Sequence, residues 1–161
     1  MNISIKKILV PIDFSEASLI ALRYSLNYAQ LFNAKLYLIY VLEPVVYPPD
    51  FSLGQISLPS VDLEMDKRAK DELEKTAHSV IPHSIEYSLI IKSGKPFVEI
   101  IETAKSEDID LIIISTHGHT GVEHILFGST AEKVVRKAPC PVLSVRKSVK
   151  GFDIKSAIKE E

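Results

Sequence analysis

Short apolar runs alternate with helical patterns along most of this chain, and this alternation restricts its fold more than any other feature. Five runs are rich in Ile, Leu and Val, as strands covered on both faces are; they occupy residues 7–12, 35–42, 84–91, 109–115 and 141–146. The segments between them carry helical patterns, which predict helices at 16–32, 62–80, 97–104 and 128–137. Strands separated by helices predict an α/β fold, in which right-handed crossovers place helices on both faces of a parallel sheet.

The length and composition of the chain exclude several classes of protein. Its 161 residues suit one domain, expected over 1–147 with a tail at 148–161. The 19 basic and 21 acidic residues give a net charge of -2, which argues against nucleic acid as a partner. No apolar run approaches the roughly 20 residues of a membrane span, and the N-terminus lacks the pattern of a signal peptide. We therefore expect a cytoplasmic protein without a membrane partner, in which the single Cys140 is a small core residue.

The order of the elements predicts where a ligand would bind. In open parallel sheets, ligands lie beyond the carboxyl ends of the strands, where the strand order reverses. Asp13 directly follows the first strand and precedes a helix, so we interpret it as a ligand contact. The alternative is that Asp13 orders the turn or caps the helix, a role for which Ser15 competes. Glu43, which follows the second strand, is interpreted as a charge in a Pro-rich loop predicted over 43–60.

A loop that contains glycines follows the fourth strand and leads into the last helix. The loop begins at Thr116 and ends with Gly128, Ser129 and Thr130 at the predicted helix start. Glycines permit positive φ and the close approach of a ligand, and the free amides of a helix N-terminus attract anions. The segment therefore indicates a phosphate site, with a structural turn and helix cap as the alternative.

The histidines of the chain offer a second candidate site. His117, His119 and His124 lie close enough in sequence to suggest zinc. We favour ligand contact or solvent exposure for these three side chains. His78 and His83, near the end of the second helix, are expected at the surface.

Three segments together resemble the universal stress protein family over residues 5 to about 147. Ser-Thr-His-Gly at 115–118, nine further residues and then Gly128-Ser129 resemble the motif Gly-x-x-Gly-x9-Gly-Ser/Thr of its ATP-binding members. The opening Lys-Lys-Ile-Leu-Val-Pro-Ile-Asp-Phe-Ser-Glu and the closing Ala-Pro-Cys-Pro-Val-Leu-Ser-Val-Arg are similar to the first and last strands of the family. One position departs from the motif, because Ser115 stands where its first glycine should be. If that position requires positive φ or close approach, a Cβ there would weaken phosphate binding.

The resemblance implies both a fold and a ligand. The fold would be a Rossmann-like open five-stranded parallel sheet in the order 3-2-1-4-5, which places strands one and four side by side. The ligand would be ATP or a related adenine nucleotide, with magnesium or manganese that Asp13 would help to hold. Pro11 and Val41 would line the adenine slot, and Asp13 would meet the ribose or the adenine. The phosphates would be held by Ser115, Thr116, Gly118, His119, Gly128, Ser129 and Thr130.

The resemblance also implies a role in the stress response, as a binding or signalling module that forms a homodimer. Strand five, at 141–146, is expected at the sheet edge, which is a natural place for two-fold strand pairing. Two alternatives stay open. One is a slow ATPase or phosphotransferase, although the chain lacks a Gly-x-x-x-x-Gly-Lys-Ser/Thr loop. The other is a family member that does not bind ATP.

Overall fold

A five-stranded parallel sheet runs through the computed structural model, which describes residues 4–44, 59–116 and 128–146. The strands are β1 (Lys7–Pro11), β2 (Lys35–Leu42), β3 (Tyr87–Ser93), β4 (Leu111–Ser115) and β5 (Val142–Val145). The helices are α1 (Glu16–Phe32), α2 (Pro59–Val80), α3 (Pro96–Ser106) and α4 (Ser129–Lys137). The strand order β3-β2-β1-β4-β5 confirms the predicted α/β class and the order that the family resemblance implies.

Two elements start three residues away from the positions expected from the sequence, each for a local reason. β3 begins late, at Tyr87, because residues 82–85 form a tight turn closed by a 3.0 Å backbone hydrogen bond. α2 begins early, at Pro59, inside the loop predicted over 43–60. The first helical turn leaves its amides unpaired, so a proline without an amide hydrogen suits a helix start as well as a loop. The predicted tail at 148–161 lies outside the described residues.

Alternate residues of the strands face two separate cores, one on each side of the sheet. Ile8 and Val10 of β1 lie with α1 and α2, whereas Leu9 lies with α3 and α4. All three side chains are 0% exposed, so this central strand is covered on both faces. That burial explains why the strands are continuous apolar runs in the sequence. Among the described residues, no helix is both long and apolar enough to cross a membrane.

The central strands β1 and β4 are paired near the amino edge of the sheet and unpaired beyond it. They pair at only two positions, whereas β2 and β3 pair at seven. At the amino edge, Asp110 Oδ2 accepts the amides of Lys6 and Lys7 at 2.7 and 2.9 Å. The amide of Asp110 in turn donates to Lys7 O at 3.0 Å. The two strands are therefore fixed to each other at one end and free to part at the other.

Leu22 and Leu31 lie on the same helix, α1, but Leu22 is 0% exposed and Leu31 is 76% exposed. We predict that Leu22→Ala lowers the free energy of unfolding by about 2–5 kcal/mol, because it leaves a cavity beside the sheet. Leu31→Ala, the matched control, should change it by less than about 0.5 kcal/mol. Urea unfolding followed by circular dichroism measures both values. Equal losses in the two variants would contradict the assignment of Leu22 to the core.

Candidate functional site

A cleft of about 440 Å³ opens at the carboxyl edge of the sheet, where β1 and β4 are no longer paired. This volume lies within the range of about 300–1,000 Å³ that is typical of small-molecule sites. The cleft brings together most of the residues that the sequence predicts for the ligand: Pro11, Asp13, Val41, Ser115, Thr116, Gly128, Ser129 and Thr130. The other two, Gly118 and His119, lie outside the described residues. The predicted residues thus surround one cavity at the point where the strand order reverses.

One wall of the cleft is apolar. Pro11 pairs with Ile39 across β1 and β2, and Val41 lies two residues further along the same face of β2. Ile100 of α3, which is 2% exposed, also contributes to the lining. Because Pro11 has no amide hydrogen, this end of β1 presents ring carbons instead of a hydrogen-bond donor. The wall suits a flat group of low polarity.

Asp13, Phe14 and Ser15 form a tight turn between β1 and α1. Asp13 Oδ1 accepts hydrogen bonds from Ser15 N at 3.0 Å and from Ser15 Oγ at 2.5 Å. Ser15 Oγ in turn accepts the amide of Ser18 at 3.2 Å, which makes Ser15 the N-cap of α1. The carboxylate of Asp13 therefore orders the turn, as the alternative interpretation requires, and it also lines the cleft.

The N-terminus of α4 meets the same cleft without a side-chain cap. Its N-cap is Gly128, which makes no side-chain hydrogen bond, and Ser129 and Thr130 of the first turn line the cleft. The first amides of a helix have no partner within the helix, and the positive end of the helix dipole attracts negative charge. This helix start can therefore hold a phosphate group without a lysine or an arginine.

Gly128 allows a close approach of two backbone segments without adopting an unusual backbone conformation. Its φ of -65° and ψ of 149° are accessible to any residue, so of the two properties that glycine offers, Gly128 does not use positive φ. Its amide donates to Thr116 O at 2.7 Å, and a Cβ on residue 128 would lie 3.3 Å from that oxygen. This contact is tighter than usual for a Cβ, so a side chain would require the Thr116 carbonyl to shift by a few tenths of an ångström, which glycine avoids.

Ser115, the departure from the family motif, is the last residue of β4 and pairs with Val145 of β5. It is 9% exposed and lines the cleft. Among the described residues, Ser115 is not one of those with a positive φ, so a side chain at this position causes no backbone strain. A serine at this position therefore leaves the strand intact beside the cleft.

Several further residues line the cleft without having been predicted to do so, and three of them are aromatic or charged. Phe14 and Tyr40 have no role in the sequence interpretation, and Glu43 was interpreted as a loop charge. The rings of Phe14 and Tyr40 pack at a centroid distance of 4.7 Å with an interplanar angle of 41°. Position is the signal that would have found all three, because each lies at or near the carboxyl end of a strand.

Metal-ligating and nucleophilic groups are sparse in the ranges that the structure describes. No group of three His, Cys, Asp or Glu residues comes together in these ranges, and the zinc candidates His117, His119 and His124 lie outside them. Asp13 at the cleft suits a magnesium ion that is held mainly by phosphate oxygens and water. Burial raises the pKa of the Cys140 thiol, so this cysteine stays protonated at neutral pH and is a poor nucleophile.

Comparison with known proteins points to one family. The sequence matches the model of the Universal stress protein family over residues 4–146. Universal stress protein MJ0531 of Methanocaldococcus jannaschii is 35% identical over 147 residues, which are 90% of this chain and 84% of that protein. Among solved structures, universal stress protein UspA from Lactobacillus plantarum has a TM-score of 0.73 at 28% identity. The match covers 90% of this chain and 100% of that one.

Two more distant universal stress proteins of known structure carry nucleotides. One is in complex with cAMP, with a TM-score of 0.57 at 21% identity over 90% of this chain and 99% of that one. The other, from Archaeoglobus fulgidus, is in complex with dAMP, with a TM-score of 0.61 at 21% identity over 89% of this chain and 98% of that one. At 21% identity, the similarity to these two proteins supports a common fold and nothing more specific.

Ser15 both caps α1 and donates a hydrogen bond to Asp13. We expect Ser15→Ala to lower the free energy of unfolding by about 1 kcal/mol, because the amide of Ser18 loses its acceptor. Ser79→Ala is the matched control, since Ser79 Oγ donates to Thr76 O at 2.9 Å on α2 and caps no helix start. Its loss should stay below about 0.5 kcal/mol in the same urea titration. A Ser15 variant as stable as the Ser79 variant would contradict the cap.

Proposed function

We propose that this chain, which belongs to the universal stress protein family, binds an adenine nucleotide. It would act in the stress response as a module that senses this nucleotide. ATP is the nucleotide that the motif of its sequence implies. The described lining of the cleft includes two carboxylates and no lysine or arginine, a set better suited to holding a nucleotide than to transferring its phosphoryl group. We also propose a cytoplasmic location, where a reducing environment suits a chain with one cysteine.

The proposal rests on one observation: a single cleft has both an apolar wall and a helix N-terminus without a side-chain cap. An adenine base has a flat face that buries well against aliphatic side chains such as Val41 and Ile39. A phosphate is the group that the amides at the start of α4 suit best. Two members of the family have structures with cAMP and with dAMP, which makes adenine nucleotides the first ligands to test.

Each part of the nucleotide would meet different residues. Pro11 and Val41 would line the base, and Asp13 would accept a ribose hydroxyl through Oδ2, since its Oδ1 is engaged by Ser15. The phosphates would meet Ser115, Thr116, Gly118, His119, Gly128, Ser129 and Thr130. Magnesium or manganese would neutralise the phosphate charge, with Asp13 as its protein ligand.

The presence of a nucleotide would be transmitted to a partner protein through the backbone that joins β4 to α4. Gly128 N donates to Thr116 O at 2.7 Å, and both residues line the cleft. Thr116 N donates on its other side to Val145 O of β5 at 3.0 Å. A ligand that moves this backbone would therefore act directly on the edge strand β5, which a partner can reach.

We also propose that β5 pairs with β5 of a second copy about a two-fold axis. Amides of β4 and of the residue after it donate to Pro141 O and Val145 O, so alternate residues of β5 face β4. The backbone groups of Val142 and Ser144 therefore point to the open edge of the sheet. An unpaired edge of this kind invites pairing with an identical strand.

The nucleotide proposal predicts that purified protein either releases an adenine nucleotide on denaturation or binds added ATP with Mg²⁺ in calorimetry. Val41→Asp should weaken this binding by at least about tenfold, because the new carboxylate would be desolvated against the base. Val135→Asp, on α4 at a residue that is 45% exposed, is the matched control and should leave the Kd unchanged.

Two outcomes would contradict this proposal. One is that the purified protein contains no nucleotide and also binds neither ATP nor AMP when they are added. This result would favour a family member that does not bind ATP. The other is steady phosphate release that survives further purification and disappears in Asp13→Ala, which would favour an ATPase.

The dimer proposal is tested by Ser144→Pro, which removes an outward amide of β5 without touching the bonds to β4. We expect light scattering at micromolar concentration to give a dimer for the wild type and a monomer for Ser144→Pro. Ser144→Ala, which keeps the amide, is the control and should stay dimeric. Wild-type protein that is monomeric under these conditions would overturn the interface.

A further inference from the structure

The turn at the cleft contains an unusual backbone conformation. Phe14 has a φ of 62°, in the left-handed region. Apart from glycine, the other described residues with positive φ are Asn33 and Asp108, both at 50°. Asn and Asp tolerate this region because their short polar side chains bond locally, whereas a bulky residue there is a genuine outlier. Such outliers persist only where the surrounding structure holds them, and they cluster at functional sites.

Two sets of contacts hold Phe14 in this conformation. On the backbone side, Asp13 Oδ1 accepts the amide of Ser15, which closes a tight turn around Phe14. On the side-chain side, the Phe14 ring packs on Tyr40 of β2 at 4.7 Å and joins the core beneath α1. The ring contact therefore offsets a backbone that is unfavourable by itself.

We propose that Phe14 is a positioning residue for the nucleotide: its strained turn, held by Tyr40, fixes the Asp13 carboxylate at the cleft. The two bonds from Ser15 both fall on Asp13 Oδ1, and within the described residues Oδ2 has no partner. One carboxylate oxygen is thus anchored and the other is presented to a ligand. This inference rests on the proposed nucleotide function and adds to it the device that orients its acidic contact.

The test compares Phe14→Gly in two backgrounds, wild type and Asp13→Ala, by calorimetry with ATP and Mg²⁺. Glycine accepts the same φ but removes the ring, so the turn loosens. We expect Phe14→Gly to weaken binding by about tenfold in the wild type, the scale of one lost preorganised group, and to have no further effect in Asp13→Ala. The same loss in both backgrounds would overturn the inference, because Phe14 would then touch the nucleotide itself. Tyr40→Ala, which removes the ring partner, should follow the same pattern.

Asn33→Gly is the matched control. Asn33 also has positive φ, but it caps the opposite end of α1 and does not line the cleft. Its replacement should leave the Kd unchanged. A wild-type protein that binds no adenine nucleotide would overturn both the proposed function and this inference. A wild-type protein that binds, with a Phe14→Gly variant of equal affinity, would overturn the inference alone.

Thermal unfolding tests the strain without any ligand. Phe14→Gly and Phe14→Ala both lack the ring, but alanine keeps the cost of positive φ. We therefore expect the glycine variant to melt about 2–4 °C above the alanine variant. Elsewhere in a protein, alanine is commonly the more stabilising of the two. An alanine variant that melts higher would contradict the strained turn on which the inference depends.

Discussion

The short pairing of β1 with β4 is the constraint on which the rest of the site depends. The two strands share only two paired positions, and the bonds of Asp110 to the backbone of Lys6 and Lys7 hold them together at the amino edge. Beyond the paired positions the strands are free to part, and the cleft occupies the space between their ends. The core beneath remains closed, since Leu9 and Ile112 are 0% exposed. The cleft at the edge of the sheet therefore does not expose the apolar residues at its centre.

Two helix starts meet at this cavity, and they satisfy their amides in different ways. α1 carries its own cap, because Ser15 Oγ accepts the amide of Ser18. The N-cap of α4 is Gly128, which has no side chain that could accept an amide. An amide at the start of α1 is thus capped by a side chain of the protein, while the start of α4 has no side-chain cap and can accept a ligand. A chain with two capped helices would have the same fold and no evident anion site.

The sequence predicts the architecture better than it predicts the details of the site. β2 has the predicted bounds because turn signals flank its apolar run on both sides. β3 begins later than predicted because Ile85, although buried, belongs to a turn, and burial alone does not separate the two. Asp13 and Ser129 could be found from their places after a strand and at a helix start. The left-handed backbone of Phe14 could not, because it depends on Tyr40, which is distant in sequence.

The bond from Gly128 N to Thr116 O has a consequence for how such proteins diversify. It joins the residues on either side of the 117–127 segment, so the sheet and α4 tolerate changes in the length of that segment. Doubling the length of a closed loop costs only about 0.6 kcal/mol in chain entropy. Insertions between His119 and Gly128 should therefore cost the scaffold little stability. A single 2.7 Å hydrogen bond thus fixes the start of α4 to the end of β4 whatever the length of the segment between them.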